Sequence, residues 1–360
     1  MSTDWRPSAS IPTLRQRAAL LDAVRGFFRA RGVLEVETPV ALSRTVTDVQ
    51  IASMRLQADS ERWLQTSPEY PMKRLLAAGS GDIFQVCRVF RAGESGRLHN
   101  PEFTMVEWYR LGFGLEPIMQ ETAALAAAVL AAGGVTAPAV ESRTYAEAFL
   151  RALDCDPLTA PLETLAGLAA RHGLASSSVA TASRDALHDF LVAVVVGPGL
   201  GQDRLTCLHH FPASQAALAQ LDDADPRTAL RFELYAQGIE LANGYVELAS
   251  AAEQRRRFEA DHAERQRRGL VLPAIDERLL AALQAGLPPC AGVALGFDRV
   301  AMLALGAGRI DEVLAGPWSR ACPVRDCASA HRGGRMNHSS RPAGRAARGL
   351  ACFVVGEELR

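Results

Sequence analysis

Phe90-Arg91-Ala92-Gly93-Glu94-Ser95-Gly96-Arg97-Leu98-His99-Asn100-Pro101-Glu102-Phe103-Thr104-Met105-Val106-Glu107-Trp108-Tyr109 is the stretch on which the reading of this chain turns. Within these twenty positions two arginines, one histidine, one asparagine and three carboxylates stand among β-type residues. Charges facing a core must each find a partner, so folding alone rarely asks for such density. A strand, a glycine-containing loop and a returning strand would gather these groups around one polyanion. Guanidinium forks meet phosphate oxygens in a planar, bidentate way that ammonium cannot. Arg91 is therefore expected to meet an α-phosphate, His99 and Asn100 to add polar contacts, and Glu94 to accept from an adenine amino group.

Upstream, Leu14, Ala18, Leu21, Val24, Phe27 and Phe28 recur at helical spacing, which predicts a helix over Thr13 to Gly32. Val33 to Val40 alternates as a strand, with Pro39 suited to an edge or bulge. Thr47 to Leu56 and Trp63 to Thr66 read as strands, Pro68 to Ala78 as a short helix, and Ile83 to Phe90 as the strand entering the hairpin. Downstream, residues 114–201 turn alanine-rich and are expected to be a helical insertion, with a flexible break at Gly197-Pro198-Gly199-Leu200-Gly201. Strand character returns at Leu205 to His210, Arg231 to Ala236 and Ile239 to Glu247; helices follow at Ala251 to Arg268 and Asp276 to Ala285. Val293 to Gly306 reads as a strand running through Gly296 into a helix.

The chain has 360 residues, 48% hydrophobic and 22% charged, which is a globular balance. A net charge of −1 argues against binding dominated by neutralisation of nucleic-acid phosphates. Seven scattered cysteines and a polar N-terminus predict a cytoplasmic protein, and no apolar run nears the roughly 20 residues a membrane span needs. Residues 322–360 hold seven arginines and three acids with little periodicity, which predicts disorder. Cys322, Cys327, His331 and His338 fit none of the usual structural-zinc spacings. Of 39 basic residues only Lys73 is a lysine. GC-rich coding accounts for the arginines; a tight site that needs a compact ammonium would account for the exception, and so would chance survival.

Three further constellations carry chemistry. In Glu240-Leu241-Ala242-Asn243-Gly244-Tyr245-Val246-Glu247 the terminal acids, seven apart, face opposite sides of an unbroken strand. A bulge at Asn243-Gly244 would turn Glu240 and Glu247 toward one Mg²⁺. The plainer reading leaves both acids solvated. In Gly292-Val293-Ala294-Leu295-Gly296-Phe297-Asp298-Arg299, Gly296 lets a flat ring approach the backbone, and Arg299 opens a helix where phosphate is favoured. An Asp298–Arg299 pair serving stability alone is the alternative. In Thr66-Ser67-Pro68-Glu69, Glu69 suits a substrate ammonium, or Ser67 simply caps a helix.

In this order the segments resemble the catalytic core of class II aminoacyl-tRNA synthetases of the lysyl type, over about Ser8 to Ala321. Val33 to Val40 is similar to motif 1, Phe90 to Tyr109 to motif 2 and Gly292 to Leu303 to motif 3. The resemblance implies an α+β fold, an antiparallel sheet flanked by helices, in a domain spanning 8–321, followed by an atypical extension over 322–360. Only about thirty residues precede motif 1, too few for the anticodon-reading OB barrel of lysyl-tRNA synthetases. Trp5-Arg6-Pro7-Ser8, His210-Phe211-Pro212-Ala213-Ser214-Gln215 and Gly238 to Gly244 resemble the truncated branch that ligates (R)-β-lysine to elongation factor P.

Carried over residue by residue, that resemblance implies Ser67, Pro68, Glu69, Tyr109 and Glu247 around the β-lysine. It implies Arg91, Ala92, Gly93, Glu94, Asn100, Glu240, Leu241, Gly296 and Arg299 around ATP, with Arg91 and Arg299 catalytic. Glu240 and Glu247 would hold Mg²⁺. Motif 2 often reads Arg-Asn-Glu, whereas here Arg91-Ala92-Gly93-Glu94 displaces the adenine-reading carboxylate by one position. The implied partners are elongation factor P and a second copy of the chain, with neither tRNA nor membrane. Competing readings are tRNA charging, an asparagine-synthetase-like amide ligase and a non-enzymatic regulatory paralogue. The last would have lost its phosphate-binding arginines.

Overall fold

A computed structural model describes residues 5–57, 60–136 and 138–321. The expected disorder of residues 322–360 and the cysteine and histidine spacings there lie outside the described residues. Helix α1 runs Ile11–Arg29; the Ser10 hydroxyl accepts from the Thr13 N–H at its start, and Gly32 beyond its end takes φ +68°. Only Leu34–Glu35 (β1) of the predicted first strand is paired. Ala41–Leu42 (β2), Arg55–Leu56 (β3) and Arg62–Leu64 (β4) make a small separate sheet before α2 (Glu69–Ala77). The hairpin strands are β5 (Ile83–Phe90) and β6 (Glu102–Leu111), followed by α3 (Leu115–Ala132) and β7 (Ala139–Thr144).

Helices α4 (Tyr145–Leu153), α5 (Leu162–Arg171), α6 (Ser176–Val179) and α7 (Arg184–Leu191) come next. The chain then returns through β8 (Arg204–Pro212), β9 (Thr228–Ala236) and β10 (Ile239–Val246). Helices α8 (Ala251–Arg267) and α9 (Glu277–Gly286), β11 (Cys290–Gly296) and α10 (Phe297–Leu305) complete the core. One eight-stranded sheet has the order β1-β5-β6-β11-β10-β9-β8-β7. Its six central strands pair antiparallel and its two edge strands pair parallel. The fold is α+β, as expected.

Alternation along β6 divides the sheet into two faces. Val106 and Trp108 enter a core shared with Leu20, Val24 and Phe28 of α1 and with Leu125 and Val129 of α3. Phe103, Met105, Glu107 and Tyr109 line a cleft on the other face. Helix α3 is long and apolar enough to span a membrane, yet half of it is buried in this core. At its end Gly133 lies so close to Ala304 of α10 that a Cβ would overlap the Ala304 backbone.

The stretch expected as one helical insertion therefore divides. Its first helix, α3, belongs to the main core, and β7 extends the sheet. Helices α4, α5 and α7 enclose a second core around Tyr145, Phe149 and Leu187. The expected flexible break at residues 197–201 is instead docked on the β9–β10 turn, where Gln237 and Gly238 donate to the carbonyls of Gly201 and Leu200. Gly201 takes φ +68°, and a Cβ there would sit 2.6 Å from the Tyr235 carbonyl, so only glycine fits.

Candidate active site

A cleft of about 1220 Å³ opens over β6, β11, β10 and β9 and is walled by α8, α7 and the loop at Val46–Ile51. Arg91, Arg299, Glu240 and Glu247 all line it. Helix α8 is tied to the 46–51 loop by Arg265, whose guanidinium donates to the carbonyls of Thr47, Asp48 and Ile51. The Thr47 hydroxyl donates to Asp261 at 2.6 Å.

Arg299 reaches His99 directly, and the charge of Arg91 acts on the same ring. Arg299, from the first turn of α10, reaches His99 Nε2 at 2.7 Å and donates to the Glu240 carbonyl at 2.9 Å. Arg91, at the end of β5, donates weakly to the Thr66 carbonyl and lies over the Phe103 ring. Burial, then Arg299 and Arg91, hold His99 down to about 4, so the ring stays neutral between the two cations. The Arg299 backbone rests on a buried triangle: Arg17 of α1 meets Asp298 at 2.6 Å, and Thr104 of β6 donates its N–H to Asp298 and accepts from Arg17.

At the other end of the cleft two carboxylates hold one ammonium, with a third carboxylate, Glu107, nearby. Lys73, only 1% exposed, contacts Glu69 at 2.6 Å and Glu247 at 2.5 Å. Burial pulls its basicity down, but Glu247 and Glu69 outweigh that, and the group stays well above its ordinary range. The second Glu247 oxygen, Oε1, is buried without a hydrogen-bond partner. Glu107 accepts from the Ser67 hydroxyl at 2.7 Å and the Tyr109 hydroxyl at 2.8 Å. Ser67 also accepts from the Glu69 N–H, so the capping and pocket readings of this residue are both realised.

Glu107 went unassigned from sequence although it stands in the decisive stretch. The signal was there: Tyr109 was nominated, and a residue two positions earlier on a strand shares its face. Burial, then the Glu69 charge, push Glu107 up to about 8, against the pull of Ser67 and Tyr109. An unfolded glutamate titrates near ~4.3, so this raised value contributes stability that is complete below that pH and lost as pH climbs through about 8. An ammonium guest needs the ionised form, so its affinity runs the other way. The KM for an amine substrate should fall as pH rises from 6 to 8.5, and Glu107→Gln should flatten that slope. A KM indifferent to pH in the parent protein would remove Glu107 from the pocket.

Gly292 closes the amine end. A Cβ there would overlap both the Tyr109 ring and the Glu247 carboxylate. Gly292→Ala should raise the amino-acid KM at least tenfold with the ATP KM unchanged, as read by pyrophosphate exchange.

Several expected site residues stand elsewhere. The Ala92 N–H is used by the Ala52 carbonyl, Gly93 takes φ +81° in the hairpin turn, and Pro68 begins α2; none of the three lines the cleft. Asn100 does line it, but its amide donates to the Glu102 carbonyl and accepts from the Trp318 N–H, bracing the hairpin. Glu94 lies 3.8 Å from Arg91, while Leu241 and Gly296 are at the wall beside Arg299.

The expected position of the β10 bulge also needs correction. The register shift lies between Glu240 and Ala242, not at Asn243-Gly244, which pair regularly with Ala294 and Val293. A shift there still turns Glu240 and Glu247 toward one face, and both line the cleft, where Glu247 contacts Lys73 and Glu240 lies 3.8 Å from Arg299. The carboxylate acting most strongly on Glu240 is Glu233 of β9, which with burial pushes Glu240 upward despite Arg299 and Arg231. Mg²⁺ favours one or two carboxylates plus substrate phosphates, and Glu240 on the cleft wall supplies such a carboxylate.

A hairpin arginine, a second arginine from the last core helix and an acid-lined pocket on one antiparallel sheet define an adenylate-forming ligase of the class II synthetase type. Residues 2–320 match the family of tRNA synthetases class II (D, K and N). The chain belongs to that family, whose members are ATP-dependent ligases that form aminoacyl adenylates, in general with Mg²⁺.

Proposed function

We propose that this protein activates (R)-β-lysine as its adenylate and transfers it to a lysine side chain of elongation factor P, working as a homodimer in the cytoplasm. One observation carries the substrate side: a buried carboxylate oxygen, Glu247 Oε1, without a donor, at the end of the cleft that Glu69 and Glu107 also line. A buried carboxylate oxygen without a donor is costly, and an ammonium group of the substrate supplies one. Two ammonium groups suit Glu247 with Glu69 at one side and Glu107 with Tyr109 at the other. The pairing of two copies is supported by motif 1, where Leu34 and Val40 are exposed.

In the first half-reaction a carboxylate oxygen of the amino acid attacks the α-phosphorus, and pyrophosphate leaves. Arg91 and Arg299 stabilise the charge that builds on the phosphate oxygens, while neutral His99 keeps Arg299 aimed without adding a third charge. Glu240, on the cleft wall, would hold Mg²⁺, which when bound draws further charge from those oxygens. In the second half-reaction the acceptor amine attacks the acyl carbon, AMP departs, and the extra proton passes to water.

The test is ATP–pyrophosphate exchange with (R)-β-lysine, α-lysine, aspartate and asparagine, followed by mass spectrometry of elongation factor P incubated with the full reaction. Exchange with β-lysine and one added β-lysyl mass on the acceptor are expected. Exchange driven by aspartate, or charging of tRNA with no change in the acceptor protein, would replace this reading.

A further inference from the structure

We infer that Lys73 is a positioning residue for substrate choice: its ammonium bridges Glu69 and Glu247, occupies one oxygen of each, and turns their remaining oxygens toward the guest. The inference rests on the diamino-acid reading above and deepens it. Neither sequence resemblance nor the reaction scheme gives this side chain a task.

Three observations converge on it. First, Lys73 does not line the cleft; it lies behind the two acids that do, so it acts through them. Second, the oxygens are divided. Lys73 takes Glu69 Oε1 and Glu247 Oε2, while Glu247 Oε1 is left buried and without a hydrogen-bond partner beside Gly292 and the Tyr109 ring. Third, the acids at this end of the cleft are not all answered. Lys73 contacts Glu69 and Glu247, while Glu107 is held only by the Ser67 and Tyr109 hydroxyls. An ammonium beside Glu107 favours its ionised form and gains an ion pair, whereas an uncharged side chain there gains none, so a second ammonium is preferred.

The only lysine among 39 basic residues stands here. A four-carbon stem ends in a point charge that touches two carboxylates at once in a space 1% exposed. A guanidinium is longer and planar, and it would push Glu247 toward Gly292, where even a methyl has no room.

The experiment compares the parent protein with Lys73→Met and Lys73→Arg by pyrophosphate exchange, reading the KM for β-lysine, the KM for ATP and kcat. Lys73→Met should raise the β-lysine KM at least 100-fold and Lys73→Arg at least tenfold, with the ATP KM within twofold in both. A folded variant of either kind whose β-lysine KM stays within threefold of the parent overturns the inference. If the methionine variant fails to fold, the arginine variant, which keeps the charge, decides the question alone. No exchange by the parent with any diamino acid overturns the functional reading and this inference with it. Parent activity with an unchanged variant overturns the inference only.

Discussion

Replacing Arg299 by alanine is expected to lower ATP–pyrophosphate exchange about 10²–10³-fold, the usual cost of removing one fixed donor from a site of developing charge. The fold should survive. The guanidinium is partly exposed to the cleft and bonds to the Glu240 and Leu98 carbonyls and to His99. All three partners have room for water once it is gone. The loss should fall on kcat, because the charge that Arg299 answers builds up in the transition state. Exchange within threefold of the parent rate, in a variant with unchanged melting temperature, would take Arg299 out of the chemistry.

Its neighbour should behave in the opposite way. Asp298→Ala removes the partner of Arg17 inside the protein, where Asp298 is 1% exposed, and strands that guanidinium next to the Phe297 ring. Breaking a buried ion pair by deleting one member typically costs about 3–5 kcal/mol. The same change frees the Thr104 N–H, so α1, β6 and α10 lose their common anchor. Urea titration with linear extrapolation measures the loss. A cost below about 1 kcal/mol would mean the triangle contributes little. Adjacent residues in one motif thus separate activity from stability: a half-open arginine aimed at substrate, and a closed aspartate holding the element that aims it.

Much of the site was legible because strands and helices translate spacing directly into faces. Ile83 to Phe90 was predicted with the boundaries observed, since an apolar run ends there in a polar hairpin. Arg91 and Arg299 share the cleft as expected, and both motifs place them at the ends of regular elements, where sequence position and spatial position agree. Errors arose where pairing partners, not local pattern, decide the geometry. The bulge in β10 depends on its register against β9, and Asn243-Gly244 carries the stronger turn signal while Leu241 takes the shift. Gly244 is there for another reason: the Phe232 ring lies over it and leaves no space for a Cβ. Facing Glu240 and Glu247 to one side needs only one such shift between them, wherever along β10 it falls.

Sequence alone determined that an α+β core would bring two arginines and several carboxylates to one cleft, because charge density and strand alternation are local properties of the chain. Tertiary structure decided which charged groups stand together. Glu233 was set beside Glu240 by the pairing of two strands, and Lys73 was set between Glu69 and Glu247 by the packing of a short helix on the sheet. Electrostatic roles depend on distance and burial across segments far apart in the chain, and those are fixed only when the segments meet.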